Sequence, residues 1–189
     1  MDKASITLRT ARCDDAPFIA RVVAMAIGDE QALRSYCGEG YLAVLASMAS
    51  RTDTQYGWPN ALVAEVDGEP AGAVVGYDGA QLATLREGTF AVLRERIGRT
   101  PTIADETEAG EYYLDSLAVE PSFRGMGVGR ALIEGFCQRA FAEGHERVGL
   151  IVDCDNPSAE SLYAALGFRT VGERLFFGHR MCHMQREKR

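Results

Sequence analysis

The sequence lacks the long apolar run that a membrane helix requires: none of its 189 residues lies in a stretch approaching the roughly 20 apolar positions needed to cross a bilayer. Its opening, MDKASITLRT, has no apolar core of the signal-peptide kind, so a cytoplasmic protein is expected. Paired cysteine spacing is also missing. Cys13, Cys37, Cys137, Cys154 and Cys182 are odd in number and scattered, which fits reduced structural thiols better than a disulfide framework. Nor is there an excess of basic charge. Twenty Lys and Arg against 27 Asp and Glu leave a formal net charge of −7, which argues against a general nucleic-acid binder and suits a cationic small substrate. No repeat or low-complexity linker interrupts the chain. With 47% hydrophobic and 25% charged residues, a single domain over 1–189 with one substantial core is expected.

What is present reads as alternating strands and helices. Ile6–Thr10 alternates apolar and polar residues as a strand does, and Asp14-Asp15-Ala16-Pro17 reads as a helix start. Helices are expected around 16–27 and 38–50, separated by Gly38-Glu39-Gly40. Ala61–Val66 and Ala71–Tyr77 form a hairpin about the turn Asp67-Gly68-Glu69-Pro70. Residues 81–110 are the least regular: Leu85, Val92, Leu93 and Ile97 allow a helix, but the flanking loop signals mark the stretch as an insertion over the substrate side. Its acidic run, Asp105, Glu106 and Glu108, could draw in a cation but reads first as a solvated loop. From Glu111 the pattern sharpens into strand (Tyr112–Val119), glycine loop, helix (Val128–Ala142), strand (Val148–Val152), helix (Pro157–Leu166) and terminal strands. This is an α/β pattern with parallel pairing at its centre.

The glycine loop is Arg124-Gly125-Met126-Gly127-Val128-Gly129, followed by an amphipathic helix with Val128, Leu132, Phe136 and Ala140 on one stripe. Unpaired N–H groups and the positive end of the helix dipole favour an anion there; glycine lets a phosphate approach the backbone, and Arg124 adds positive charge. A triphosphate P-loop needs Gly-x-x-x-x-Gly-Lys-Ser/Thr, which is absent. A dinucleotide fingerprint from Gly125 meets Gly127 but then Arg130, so it fails. What remains is Arg-x-x-Gly-x-Gly, and here the sequence resembles the GNAT N-acetyltransferases, whose acyl-CoA signature has this form at a strand-to-helix junction. Ser116-Leu117-Ala118-Val119-Glu120-Pro121 resembles that family's lead-in.

A second segment, Asn156 to Phe168, resembles the family pattern Asn-x-x-Ala-x-x-x-Tyr-x-x-x-Gly-Phe. Locally, Asn156 is a good N-cap, Pro157 suits the first helical position, and Ala159, Leu162, Tyr163 and Leu166 are expected on one face. By periodicity alone Tyr163 is a core aromatic. The resemblance implies more. It implies one mixed, mostly antiparallel sheet with a central parallel strand pair splayed around the cofactor and helices on both faces. It implies acetyl-CoA as acyl donor, with its pyrophosphate on the main-chain amides from Met126 to Arg130 and its pantetheine arm along Leu117, Ala118 and Val119. Asn156 would contact that arm, and Tyr163 would protonate the leaving thiolate.

The acceptor would be a primary amine, on a small molecule or a peptide; a homodimer is allowed, and neither nucleic acid nor membrane is expected as a partner. An amine with pKa near 10.4 must shed a proton at a cost of roughly 4 kcal/mol at neutral pH, so a base is needed. Strand periodicity places Glu111, Tyr113 and Asp115 on one face and Tyr112, Leu114 and Ser116 on the other. Asp115 is the first choice of base and Glu111 the second. A covalent route through cysteine is disfavoured because neither motif contains one. A metal is not expected, since His179 and Cys182 on a strand would face opposite ways. The rival to an enzyme is a noncatalytic acyl-CoA-binding module of the same fold.

Overall fold

The computed structural model describes residues 5–189, and within them seven strands form one sheet in the order β1-β2-β3-β4-β5-β7-β6. The strands are β1 (Ile6–Thr10), β2 (Ala61–Val66), β3 (Glu69–Asp78), β4 (Tyr112–Val119), β5 (Arg147–Asp153), β6 (Arg169–Phe176) and β7 (His179–Glu187). Every neighbouring pair is antiparallel except β4 and β5. The helices are α1 (Ala16–Ile27), α2 (Glu30–Cys37), α3 (Tyr41–Ala49), α4 (Leu82–Ile97), α5 (Val128–Ala142) and α6 (Pro157–Ala165). Among the described residues no helix is long and apolar enough to cross a membrane. The expected mixed sheet with a central parallel pair is therefore present.

The two faces of the sheet bury separate apolar clusters. Ala73 and Val75 of β3 pack with Ile19, Val22, Leu45 and Met48 under α1 and α3. Val74, one residue out of phase, packs with Val128, Leu132, Phe136 and Ala140 of α5, the stripe read from the sequence. α6 joins α5 on that face through Ala159 and Tyr163, with Leu166 just past its end. Leu162, expected on the same face, is instead 44% exposed: the helix leaves the sheet too narrow a contact to cover four positions.

Three local expectations are corrected. Asp67 and Gly68 both have positive φ, 50° and 87°, giving a two-residue turn of the kind whose twist matches a hairpin, so Glu69 and Pro70 belong to β3. α2 was not foreseen; Asp29 caps it by accepting from the Ala32 N–H at 3.0 Å, and Leu33, Tyr36 and Cys37 are its buried side. The stretch 81–110 is not the least regular part of the chain, because its first half is the 16-residue α4, which buries Leu82, Leu85, Thr89, Val92 and Leu93.

Candidate active site

β4 and β5 pair only at Tyr112–Val148 and Tyr113–Gly149. Beyond that they diverge, and the edge of β4 from Leu114 to Val119 has no partner on the β5 side. A cavity of about 620 Å³ opens along this divergence, with Leu114–Leu117 on one wall, Leu150–Asp153 on the other, and Asn156, Ala159 and Tyr163 of α6 at one end. A parallel pair that splays leaves backbone donors and acceptors free within a sheet, where an extended ligand can complete them.

At the outer end of β4 the chain turns through the glycine loop into α5. Gly125 and Gly127 have φ of 78° and 90°, a region closed to most side chains, and no atom lies within 4 Å of where their Cβ atoms would stand. Gly127 is the N-cap of α5 and offers no side-chain cap, so the first amides of the helix are left to an outside acceptor. Met126, Gly127 and Arg130 are exposed, Gly129 is half-buried and Val128 is buried in the core. Arg124 donates from Nε to the Val119 carbonyl at 3.2 Å, which ties the loop to the end of β4. Bare amides at a helix start with open space before them fit a pyrophosphate, and the unpaired edge at Leu117, Ala118 and Val119 fits an amide-bearing arm running from it.

On α6, Asn156 Oδ1 accepts from the Ala159 N–H at 3.1 Å and so acts as the helix cap. Tyr163 packs edge-on to Phe168, ring centroids 5.7 Å apart, and burial raises its hydroxyl above the ordinary phenol value. It therefore holds its proton at neutral pH.

Across the cavity the strand pairing slips. Val75 faces Ser116 but Gly76 faces Leu114, so Asp115 is an extra residue on β4, a β-bulge. The slip reverses the alternation of faces. Ser116, expected on the side of Leu114, lies opposite Val75 and shares that residue's face. Asp115 lines the cavity; its Oδ1 accepts from Ser116 Oγ at 2.8 Å and its Oδ2 lies 3.1 Å from the Tyr77 hydroxyl. Burial, aided by the charge of Glu106, pushes the Asp115 carboxyl up to about 7.

Glu106 itself is only 4% exposed, so the acidic run is not simply a solvated loop. Its Oε1 accepts from Gln55 Nε2 at 3.0 Å and lies 3.1 Å from the Tyr77 hydroxyl, while Oε2 pairs with Arg86 of α4. Gln55 Nε2 also donates to Tyr77 Oη at 3.0 Å. Glu111 lies apart from this group and does not line the cavity. It accepts from Thr107 Oγ1 and Gln185 Nε2, both at 2.7 Å, and stands 2.8 Å from His183 Nε2. Burial works to raise its carboxyl, but these hydrogen bonds win and hold it below the usual range. Among the described residues no three His, Cys, Asp or Glu side chains gather as metal ligands.

A sequence model of the acetyltransferase (GNAT) family matches residues 31–168. The chain belongs to that family. Among curated GNAT relatives, the N-alpha-acetyltransferase RimI of Mycobacterium tuberculosis is 33% identical over 109 residues, covering 58% of this chain and 54% of that protein. The mycothiol acetyltransferase of Gordonia bronchialis is 28% identical over 171 residues, 86% of this chain and 50% of that one. The matched segment thus spans about half the length of these two relatives. A crystal structure of an acetyltransferase superposes with a TM-score of 0.82 at 33% identity, covering 96% of this chain and 98% of the other. The PaiA N-acetyltransferase of Thermoplasma acidophilum, solved in complex with coenzyme A, shares the fold at a TM-score of 0.59 and 16% identity, over 97% of this chain and 99% of that one.

In this GNAT chain the sequence motifs bring together Asp115, Asn156 and Tyr163 around one cavity and leave Glu111 outside it. Reasoning from the sequence missed Gln55, Tyr77, Arg86 and the burial of Glu106. Only one signal pointed to them: an acidic residue in a loop beside the expected acceptor side.

Proposed function

We propose that the chain transfers the acetyl group of acetyl-CoA to a primary amine by direct attack within a ternary complex. The observation that carries this reading is that one cavity, opening along the unpaired edge of β4, is lined by both Tyr163 and Asp115. The amides from Met126 to Arg130, with Gly125 and Arg124 beside them, would hold the pyrophosphate. Leu117, Ala118 and Val119 would pair with the pantetheine arm, and Asn156 would border it. A free β4 amide would polarise the thioester carbonyl.

Asp115 then takes the amine proton. A carboxyl with a pKa of about 7 is half ionised at neutral pH and is a far stronger base than an ordinary aspartate. Tyr163, its proton retained by burial, donates to the departing thiolate. Glu111 is saturated by its hydrogen-bond partners, which suits a residue that holds the segment carrying Thr107 in place rather than a base.

The test is acetyl-CoA consumption with a panel of amines, set beside acetyl-CoA binding by calorimetry. Turnover that falls at least ~10-fold in Tyr163→Phe with acetyl-CoA affinity retained, and affinity lost in Gly127→Glu, is the expected pattern. Binding without turnover of any amine would make the protein an acyl-CoA-binding module instead.

A further inference from the structure

Asp115 lines the cavity, but one of the groups that holds it does not. Tyr77 of β3 is buried and stands outside the cavity lining. Its hydroxyl has three polar neighbours: Gln55 Nε2 at 3.0 Å, Glu106 Oε1 at 3.1 Å and Asp115 Oδ2 at 3.1 Å. The ring packs edge-on to Tyr113, centroids 5.8 Å apart, and the oxygen lies on the ring axis, so turning of the O–H bond is the freedom left to it.

A phenol oxygen carries one proton and accepts from up to two donors. Gln55 Nε2 is a donor to it in every state, and its other hydrogen goes to Glu106 Oε1 at 3.0 Å. The two carboxyls therefore compete for one hydroxyl proton. While Asp115 is protonated the competition is resolved, because Asp115 donates to Tyr77 and Tyr77 donates to Glu106. Once Asp115 is ionised both carboxyls are acceptors and one must go without. Glu106 keeps two other donors, Gln55 and Arg86 of α4. Asp115 Oδ2 has no donor but Tyr77 among the described residues, since Ser116 serves Oδ1. The ionised Asp115 thus has the greater need of the hydroxyl. The other groups around Asp115 do not take this part. Tyr36 of α2, Tyr56 and Tyr113 feel its charge, and burial raises all three phenols so that they stay neutral. Arg86 acts on it through space, its guanidinium being engaged by Asp105, the Ala104 carbonyl and Glu106. Across the cavity β5 presents the apolar Leu150, Ile151 and Val152.

We propose that Tyr77 is a positioning residue whose hydroxyl is shared between Asp115 and Glu106, donating to Glu106 while Asp115 holds a proton and turning to Asp115 when that proton leaves to water in the cavity. No covalent bond of Tyr77 changes; its O–H turns about the Cζ–Oη bond. Glu106 then acts on Asp115 in two ways, by its charge and by withholding the Tyr77 proton. The bearing of this switch on catalysis rests on the reading of Asp115 as the base in acetyl transfer.

The experiment follows the Asp115 carboxyl carbon of the full chain by NMR across pH, its signal assigned with Asp115→Asn. The titration is repeated in Glu106→Gln, in Tyr77→Phe and in the variant carrying both. Charge acting through space would make Glu106→Gln lower the Asp115 midpoint equally with and without Tyr77→Phe. A shared hydroxyl makes the lowering larger when Tyr77 is present, by about 1 pH unit or more, the scale of one hydrogen bond to a charged group. The midpoint is read from folded molecules alone, so a partly folded variant does not alter it. In the parent the Tyr77 Cζ signal is also expected to move with the Asp115 midpoint, a reading that depends on no variant. Equal lowering in both backgrounds, or a Tyr77 signal unmoved across that midpoint, would overturn the proposal. Neither reading needs acetyl-CoA or an amine, so their failure leaves the transfer reading intact. Absence of turnover with every amine would remove that reading without changing the titration.

Discussion

The Tyr77 hydroxyl stands 3.1 Å from Asp115 Oδ2, and the same oxygen stands 3.1 Å from Glu106 Oε1. A phenol has one proton, so it can donate to only one of the two carboxyl groups. With Gln55 Nε2 already donating to Tyr77 and Glu106, every contact in the cluster is satisfied when Tyr77 donates to Glu106 and a protonated Asp115 donates to Tyr77. Geometry and the raised Asp115 pKa thus agree on a carboxyl that is protonated at rest and ionises close to neutrality, as the proposed base requires.

That agreement predicts two pH dependences. As a base, Asp115 must be ionised, so kcat/KM is expected to rise with pH through about 7, and Asp115→Asn to lose that limb with a ~100-fold fall in rate. Stability moves the other way. The folded carboxyl binds its proton more tightly than the unfolded one, so its contribution is present below the unfolded value of 3.8 and is lost as pH rises through about 7. Asp115→Asn is therefore expected to be more stable than the parent at pH 8, by on the order of 1–3 kcal/mol, with the gap closing toward pH 4. Denaturant titrations at both pH values check this, and a variant less stable at pH 8 would contradict it.

Glu106 is the second cause of the raised Asp115 value, after burial. Glu106→Gln removes that neighbouring charge and is expected to move the rising limb of the pH–rate profile to lower pH. It also leaves Arg86 with Asp105 as its one carboxylate partner, at a cost of about 1–3 kcal/mol in stability. A limb fixed at the parental pH would show that Glu106 does not tune the base.

The half of the candidate site proposed for the acyl donor could be read from the sequence because its parts are local. The loop from Arg124 to Gly129 and the cap at Asn156 are each contiguous, and α5 shows its buried face in the order of its residues. The cluster beside Asp115 is built across the chain: Gln55, Tyr77 and Glu106 meet over separations of 22 to 51 residues, which no period reveals. The bulge at Asp115 was hidden for a different reason. A single extra residue breaks the period-two rule that placed Asp115, and leaves no mark in composition. α2 was the avoidable omission, since Asp29 followed by Leu33, Tyr36 and Cys37 is a cap with a helical stripe.

The glycine loop allows backbone strain and ligand contact to be separated. At Gly127, φ is 90° and nothing lies within 4 Å of a new Cβ, so Gly127→Ala is expected to cost about 1 kcal/mol through strain alone. The same methyl stands where a phosphate would approach the amides, so acetyl-CoA affinity is expected to fall ~10-fold or more, beyond what the stability change explains. Calorimetry on the folded variant makes the comparison. Strain without loss of affinity would move the pyrophosphate elsewhere.

Gly149 permits the buried cluster that ties the loop carrying Thr107 to the sheet. It lies on β5 beneath the Glu111 carboxylate, and a Cβ there would collide with both of that group's oxygens. Gly149→Ala must therefore displace Glu111 from Thr107, His183 and Gln185, and a cost of about 2–4 kcal/mol at pH 7 is expected from overpacking and unpaired polar groups together. The sign of the pH dependence follows from Glu111's lowered pKa. Its stabilisation is present above the ordinary carboxylate value of 4.5 and is lost as pH falls through the folded value. The penalty of Gly149→Ala should then narrow in acid, the opposite of the trend expected for Asp115→Asn. Denaturation at pH 7 and pH 4 separates the two carboxyl groups: one is strained when charged, the other is held charged by its neighbours. A Gly149→Ala protein as stable as the parent at pH 7 would mean that the Glu111 cluster contributes little to the fold.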